Sequence, residues 1–217
     1  MGETIDAAAV RAGLERIARA LAAHADELNA LDAAMGDGDM GVTMRLGSQG
    51  LLAELAGLGD ADAATLVSRA GMAFNRAAAS TIGALIATAG MRAGAELKGA
   101  EVIDLALLGR ALDMAEAGIR ARGKAQRGDK TLLDALIPAV EAVQEAATAG
   151  AGLSQAGARA LAAAAAGCQA AVGLQSRVGR AGWVGERTVG HPDPGASAVV
   201  IAIRALVGGE LAVEEKV

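Results

Sequence analysis

Apolar residues recur every three or four positions along most of this chain, which is the spacing of an amphipathic α-helix. Near the N-terminus the pattern runs through five leucine and isoleucine positions: Leu14, Ile17, Leu21, Leu28 and Leu31. Similar patterns predict about eight helices, over residues 4–31, 42–57, 62–77, 82–95, 101–121, 130–148, 154–175 and 196–210. The stretch 198–203 is apolar enough for a buried strand, but its position after an Asp-Pro-Gly turn favours a helix. The predicted fold class is therefore all-α.

The links between the predicted helices are mostly short and contain glycine, as in residues 57–60 and 148–152. Short links favour antiparallel neighbours, so the expected architecture is an up-and-down helical bundle. Ser154 is the expected N-cap of the helix that follows the second of these links. No repeat and no change in composition divides the chain, so residues 1–217 are expected to form a single domain.

The composition is typical of closely packed helices. Hydrophobic residues make up 53% of the chain but aromatic residues only 1%, so the core has to be built from alanine, leucine, valine and isoleucine. Sheets usually draw on aromatic and β-branched residues. The net charge of −5 argues against a nucleic-acid partner, whose binding surface would need a basic excess.

Cysteine content and hydropathy predict a cytoplasmic protein. The single cysteine, Cys168, excludes an intramolecular disulfide, and its place in an alanine-rich run favours a buried structural thiol. The first residues carry Glu3 and Asp6 and lack the apolar core of a signal peptide. The longest uncharged apolar stretch, between Arg76 and Arg92, is shorter than the roughly 20 residues that a membrane span needs. We therefore expect no membrane partner.

The strongest candidate for chemistry is an acidic, glycine-rich segment that follows the first predicted helix. Asp32, Asp37 and Asp39 lie there among three glycines. Spacings of five and two residues cannot place these carboxylates on one helical face, so they converge only if the chain turns sharply, which glycine permits. Carboxylate oxygens are hard ligands that Mg²⁺ prefers. The segment is therefore predicted to hold divalent metal against phosphate.

Three better-known motifs do not account for these sequences. Residues 36–41 match the dinucleotide fingerprint G-x-G-x-x-G, but a predicted helix rather than a strand precedes them. An EF-hand loop starting at Asp37 would need a bidentate glutamate at its twelfth position, which is Ser48. Residues 118–125 resemble a P-loop, but Ala125 lacks the hydroxyl group that would meet Mg²⁺. We therefore reject all three interpretations.

Two further loops carry positive charge. Residues 122–131 are basic and contain glycine, and residues 176–195 form a long glycine-punctuated connection. The second loop contains several arginines and Trp183, which fits either a partner contact or a place at the rim of the bundle. Long loops inside a compact domain are usually functional, and arginines neutralise the charge of a transferred phosphoryl group. Together with the acidic segment, these loops favour phosphoryl transfer.

Three motifs in this order resemble the nucleotide-binding L subunit of dihydroxyacetone kinases, the DhaL or DAK2 type. They are residues 31–41, 122–131 and 179–196, and the resemblance covers essentially the whole chain. It implies a closed barrel of eight antiparallel helices with ADP or ATP bound at one rim. It also implies a sugar bound covalently through a histidine on a separate K subunit, to which this subunit passes the phosphoryl group.

The resemblance also implies a set of ligand-binding residues. Asp32, Asp37 and Asp39 correspond to the ligands of two Mg²⁺ ions. The residues that it places around the nucleotide are Met40, Gly41, Val42, Thr43, Thr81, Ile82, Gly123, Leu132, Arg180, Asp193, Pro194 and Gly195.

Within that set, each group has its own part in holding the nucleotide. Residues 40–43 resemble the helix start that contacts phosphate, and Gly123 and Leu132 match positions that line the adenine pocket. Arg180 matches the arginine that contacts phosphate, which makes it the expected catalytic residue. Residues 193–195 match the turn that closes over the nucleotide.

Two departures from the best-known members indicate a separate branch of that family. Met40 stands where they have histidine, and its side chain cannot donate a hydrogen bond. Residues 79–83 read Ala-Ser-Thr-Ile-Gly in place of a Gly-Gly-Ala-Ser-Gly-type phosphate loop. The backbone N–H groups of Thr81 and Ile82 can still face phosphate. Another small sugar is therefore an alternative substrate to dihydroxyacetone.

The phosphate donor and the catalytic status stay open at this point. ATP is either used directly, or ADP stays bound and is rephosphorylated by a protein of the phosphotransferase system. A second interpretation is a non-catalytic regulator that uses bound nucleotide to signal to a partner protein. A third is a kinase that acts on an acyl carboxylate.

Overall fold

The computed structural model describes residues 3–208, apart from the side chain of Arg180. In this part the chain forms ten α-helices: Ala7–Ala23 (α1), Ala25–Met35 (α2), Met40–Gly57 (α3), Ala63–Ala77 (α4), Thr81–Glu96 (α5), Leu105–Gly123 (α6), Leu133–Thr148 (α7), Leu153–Ala171 (α8), Gly179–Val184 (α9) and Pro194–Val207 (α10). A 3₁₀ turn, Gly185–Thr188, follows α9. The all-α class is confirmed. The described residues form no strand, and one isolated bridge joins Ile5 to Ile103.

Several helices begin where a short acidic side chain can cap them. Asp6, Asp62 and Asp104 each accept a hydrogen bond from the backbone N–H group three residues further on, at 2.7 Å. Such a cap satisfies one of the N–H groups that have no partner within the first turn of a helix. The starts of α1, α4 and α6 therefore follow directly from the local sequence.

The start of α8 differs from the prediction. Its N-cap is Gly152 rather than Ser154, and α8 already includes Ser154. The backbone N–H group of Leu153 donates to the carboxylate of Glu3, 2.8 Å away, so a side chain from the other end of the sequence takes the place of a local cap. A contact between such distant residues leaves no mark on the local sequence.

The single helix predicted for residues 4–31 is two helices that bend at His24. The ring Nδ1 of His24 lies 2.8 Å from the carbonyl oxygen of Ala20, which also accepts the backbone N–H group of His24. Side chain and backbone share one acceptor there, and the helix bends. The apolar spacing continues through the bend, which is why the pattern does not reveal it.

Eight helical positions close into a ring. The unit made of α1 and its continuation α2 packs against α3, and the helices from α3 to α8 pack on one another in chain order. Helix α10 packs against both α8 and α1, and these contacts close the barrel. Helix α9 lies outside the ring and contacts α2 and the 3₁₀ turn. The closed, up-and-down barrel of eight helices is therefore confirmed.

The alternation of helix direction brings the loops of interest to one end of the barrel. This end, called the site end below, carries the links 36–39, 78–80, 124–132 and 172–193. Each of them joins a helix that runs towards the site end to the next one that runs away from it. Motifs that lie up to about 160 positions apart in the sequence are thus brought together by topology alone.

Small side chains let the helices approach closely. A Cβ atom on Gly71 of α4 would lie 2.9 Å from the carbonyl oxygen of Ile86 on α5. The one phenylalanine, Phe74, is buried against Gly47 of α3. Despite a hydrophobic content of 53%, none of the described helices combines the length and the hydropathy needed to cross a membrane.

Candidate metal and nucleotide site

The three aspartates of the acidic segment converge. Asp32 lies in the last turn of α2, Asp39 directly precedes α3, and Asp37 lies between the two helices. One carboxylate oxygen of each lies within 4.8 Å of the corresponding oxygens of the other two. Asp32 is half-buried, whereas Asp37 and Asp39 are exposed. A set of hard oxygen donors at this separation fits a divalent cation such as Mg²⁺.

Asp32 holds the acidic loop in its bent shape. Its Oδ2 atom accepts hydrogen bonds from the backbone N–H groups of Asp39, at 2.9 Å, and Met40, at 3.1 Å. Gly38 has a φ of +75°, in the left-handed region that glycine adopts readily. The sharp turn that the sequence required is therefore present, and one of the three carboxylates maintains it.

Asn29 is a functional residue that the sequence reasoning missed. Its Oδ1 atom accepts the backbone N–H groups of Gly41, at 2.6 Å, and Val42, at 3.2 Å. It thereby caps α3 from α2, and this pairing holds the two helices that carry the outer aspartates. The available signal was its spacing, because Asn29 and Asp32 are three residues apart and share one helical face.

The backbone N–H groups at the start of α3 already donate to oxygen atoms of the protein itself. Asp32 accepts from Met40, Asn29 accepts from Gly41 and Val42, and the N–H group of Thr43 donates to the carbonyl oxygen of Asp39, at 3.0 Å. Phosphate binding by residues 40–43 stays a prediction. A phosphate at this helix start would have to compete with these acceptors for the N–H groups.

The start of α5 is the second helix end at the site. Ser80 is its N-cap, and its hydroxyl oxygen accepts the N–H group of Gly83 at 3.1 Å and lies 3.2 Å from the Ala78 carbonyl oxygen, to which it donates. Thr81 is exposed and Ile82 is half-buried. The serine of this altered loop is thus used to build the helix start, and the phosphate contacts of Thr81 and Ile82 stay predictions.

Residues predicted for the adenine pocket share one apolar cluster. Leu132 is buried with Ile119 and Leu133, and Ile82 packs against this cluster from α5. Gly123 borders it, because a Cβ atom there would lie 3.5 Å from a methyl carbon of Leu85, another member of the cluster. An apolar surface of this kind suits the faces of an aromatic base.

The start of α10 adjoins the same cluster. Asp193 caps the helix by accepting the N–H group of Ala196 at 2.7 Å, and Pro194 occupies the first helical position. Gly195 is pressed against Leu132, since a Cβ atom on it would lie 3.2 Å from that of Leu132. The turn predicted to close over the nucleotide therefore touches the predicted adenine pocket.

The segment 176–195 was predicted as an irregular loop, and it contains α9 and the 3₁₀ turn. Val184, Arg187 and His191 face the end of α2 across a cavity of about 570 Å³ that also includes Gly36 of the acidic loop. Trp183 is 95% exposed and does not fill the rim. The side chain of Arg180 lies outside the described residues, so its phosphate contact stays a prediction.

The family follows from a direct match. Residues 34–208 match the model of the DAK2 domain. The chain belongs to the DAK2 domain family. The resemblance inferred from three motifs is thereby confirmed, and the match includes Asp37, Asp39 and the three later loops of the site end.

Two relatives illustrate what this DAK2 domain is similar to. It is 29% identical to the ADP-binding subunit DhaL of the PEP-dependent dihydroxyacetone kinase of Escherichia coli, over 89% of this chain and 92% of the relative. It is 36% identical to the L-erythrulose 1-kinase of Mycolicibacterium smegmatis, over 89% of this chain and 34% of the relative.

A solved structure has the same fold. The dihydroxyacetone kinase from C. freundii, in complex with AMP-PNP and Mg²⁺, matches with a TM-score of 0.71 and 26% sequence identity. The match covers 97% of this chain and 35% of the kinase chain. This DAK2 domain thus spans about a third of the length of that kinase.

Asp193 is the group with the most perturbed acidity in the DAK2 domain. Burial raises the pKa of its carboxyl group to about 7, the charge of Asp134 acts in the same direction, and Ala196 and Lys130 oppose it. Burial also raises the pKa of the Cys168 thiol above its ordinary value, and the charge of Asp134 acts in the same direction. Asp193 therefore carries its proton in the folded protein at a pH where it would be ionised in the unfolded chain.

Stability should therefore fall as the pH rises through 7. Protonated Asp193 stabilises the fold fully below about pH 4, the pKa of this group in the unfolded chain. Between pH 5 and pH 8 we expect the free energy of unfolding to fall by about 3 kcal/mol. Asp193→Asn keeps an oxygen for the Ala196 N–H group but does not titrate, so it should remove this loss. Urea denaturation at several pH values measures the difference. Asp104→Asn, at an exposed cap, is the control, and an unchanged pH profile in Asp193→Asn would contradict the assignment.

Proposed function

We propose that this DAK2 domain is the nucleotide-binding phosphotransfer subunit of a kinase for dihydroxyacetone or another small ketose. The observation that carries the proposal is the juxtaposition at the site end. Three convergent carboxylates, an apolar cluster with residues of α5 and α7, and a long segment with arginines all lie at this end of the barrel, and the cavity beside the acidic loop is lined by Arg187 of that segment. This is the combination that a nucleoside diphosphate with bound metal requires.

Each part of the site would have a distinct task. Asp32, Asp37 and Asp39 would hold two Mg²⁺ ions, which neutralise the charge of the phosphates when bound. Leu132 and its neighbours would hold the base of ADP or ATP, and the start of α5 would face the phosphates. Arg180 would contact the transferred phosphoryl group as the catalytic residue.

The remaining residues would orient the nucleotide. Residues 40–43 would support phosphate from the start of α3, and Gly123 would leave room beside the base. Asp193, Pro194 and Gly195 would close the pocket through the start of α10, whose shape depends on the Asp193 cap. The sugar would be carried by another polypeptide.

The expected partner is a sugar-binding K subunit. The E. coli relative is named as one subunit of a dihydroxyacetone kinase, and this chain covers 92% of it. Phosphoryl groups would come either directly from ATP or from a phosphotransferase-system protein that recharges bound ADP. The second mode is favoured by the relative, which is named as PEP-dependent and ADP-binding.

The domain is proposed to work as one unit in the cytoplasm. Residues 1–217 would act as a single nucleotide-binding domain, because the ring of helices within residues 3–208 closes between α1 and α10. A cytoplasmic location agrees with the supply of ADP and ATP. It also agrees with the lone Cys168, which has no second cysteine as a disulfide partner.

Two measurements test the proposal. Calorimetric titration with ADP should show binding that depends on Mg²⁺. Adding a K subunit, dihydroxyacetone or L-erythrulose, and either ATP or a phosphotransferase-system donor should then yield phosphorylated sugar. Binding without turnover under every donor would favour the non-catalytic regulator, and absence of ADP binding with Mg²⁺ would overturn both.

A further inference from the structure

Lys130 is a buried cation at the centre of the site end. It is 1% exposed, and its backbone has a φ of +58°, in the left-handed region that residues with side chains rarely adopt. No candidate function was assigned to it from the sequence. Burying a lysine is costly unless its ammonium group is fully hydrogen-bonded, so its position calls for a specific role.

The ammonium group of Lys130 is bonded to three backbone carbonyl oxygens of the segment that spans the site. Nζ donates to Val172 at 3.0 Å, to Leu174 at 2.9 Å and to Thr188 at 2.6 Å. An ammonium group has three N–H donors, so each donor has one acceptor. The first two acceptors lie where the segment leaves α8, and the third lies where it returns towards α10.

These three bonds fasten segment 172–190 at both of its ends, and the backbone N–H group of Arg177 adds a bond to the carbonyl oxygen of Asp129, at 3.2 Å. Thr188 is completely buried, and its hydroxyl oxygen accepts the N–H group of Ser176 at 2.9 Å. Gly190 donates to the carbonyl oxygen of Val172 at 2.8 Å. The segment is therefore closed on itself as a loop, and Lys130 ties that loop to the link 124–132 on the opposite side.

The held segment carries Arg187, which faces the acidic loop, and His191 follows directly after the segment. Arg187 lies next to Thr188, and Arg187 and His191 line the cavity in front of Gly36. Moving Thr188 would therefore move a cation relative to Asp32, Asp37 and Asp39. The link 124–132 is itself held by the first turn of α7, because the Asp134 carboxylate accepts the N–H groups of Gly128 at 2.6 Å and Thr131 at 2.8 Å.

We propose that Lys130 is a positioning residue that holds segment 172–190 across the site. The arginines of this segment would then contact the phosphates of the nucleotide bound at the acidic loop. The inference rests on the proposed nucleotide-binding function. Lys130 does not touch the nucleotide in this arrangement, and it acts through the three carbonyl groups that it binds.

The charge state of Lys130 provides a second way to test the proposal. Burial lowers the pKa of its ammonium group, while the carboxylates of Asp193 and Asp134 oppose that shift. A neutral amine has two N–H donors and cannot serve three carbonyl groups. Raising the pH through this lowered pKa should therefore release part of the segment.

The test compares Lys130→Met with Lys124→Met. Lys124 is an exposed lysine of the same link that also has a positive φ, of +51°, so it is a matched control. At a temperature where both variants are folded by circular dichroism, Lys130→Met should bind ADP with Mg²⁺ at least tenfold more weakly than wild type. Lys124→Met should bind as wild type does.

Trp183 gives a readout that does not need the nucleotide. It is the one tryptophan of the chain, there is no tyrosine, and it lies within the held segment. Its fluorescence anisotropy in the protein without ligand should be lower in Lys130→Met than in wild type or Lys124→Met. In wild type it should also fall as the pH is raised towards 10.5, the ordinary pKa of lysine, and Lys130→Met should lack that fall.

Each outcome decides the proposal. Unchanged ADP affinity and anisotropy in folded Lys130→Met would overturn it. If Lys130→Met does not fold, the wild-type anisotropy decides, and a profile that stays flat up to pH 10.5 would overturn the proposal, because the lowered pKa of Lys130 lies below that value. If wild type binds no ADP, the proposed function fails, but the anisotropy still shows whether Lys130 holds the segment.

Discussion

Replacing Asp37 or Asp39 with asparagine is expected to weaken Mg²⁺-dependent ADP binding by at least about 100-fold. Each variant removes one of the three convergent carboxylates, and a neutral amide is a poor ligand for Mg²⁺. Both side chains are exposed, so the helical fold should stay intact. Calorimetric titration of ADP, with and without Mg²⁺, measures the loss, and circular dichroism checks the fold.

Asp32→Asn is a less direct test of the metal site, because Asp32 also holds the N–H groups of Asp39 and Met40. Asp60→Asn is the matched control, since Asp60 is an exposed aspartate beside a glycine on a link at the other end of the barrel. It should leave ADP affinity unchanged. Wild-type affinity in both Asp37→Asn and Asp39→Asn would remove the metal site from the proposed function.

Gly41→Ala is expected to lower the free energy of unfolding by about 3 kcal/mol or more, an unusually large effect for one methyl group. The added Cβ atom would lie 1.7 Å from the carbonyl oxygen of Ala25. A backbone carbonyl cannot rotate away as a side chain can, so α2 and α3 must separate. That movement breaks the cap from Asn29 and parts Asp32 from Asp39, so ADP binding should weaken as well.

Urea denaturation measures the free energy of unfolding of Gly41→Ala and of the control variant Gly57→Ala. Gly57 ends the same helix, and a Cβ atom there would have no other atom within 4 Å. This control should keep its stability or gain up to about 1 kcal/mol, because alanine is the better helix former. If Gly41→Ala unfolded at the wild-type urea concentration, the close contact between α2 and α3 would be refuted.

Two of the incorrect predictions, the unbroken first helix and the start of α8, fail for the same physical reason. At the bend, the ring nitrogen of His24 contacts the carbonyl oxygen of Ala20, and the apolar spacing continues on both sides of it. The start of α8 depends on Glu3, which is 150 residues away in sequence from Leu153. Apolar periodicity reports which face of a helix is buried, and neither contact changes that face.

The candidate site divides in a similar way. The three aspartates could be identified from composition and spacing, because metal ligands must be oxygen donors and a turn must bring them together. Asn29 shares a helical face with Asp32, but that spacing does not reveal its role as a cap, because an asparagine within a helix is ordinary until another helix start is packed against it. Lys130 was visible as one charge of a basic loop, but the bonds that define its role run to residues 42 to 58 positions away.

The sequence by itself determined the all-α class, the closed eight-helix ring through its resemblance to a family, and the residues that can bind metal. These depend on periodicity, residue chemistry and local motifs, which are properties of neighbouring positions. The tertiary structure alone decided that α3 is capped from α2, that burial raises the pKa of Asp193, and that Lys130 fastens the segment across the site. Each of these depends on the environment of a polar group, and that environment exists only after distant helices have packed.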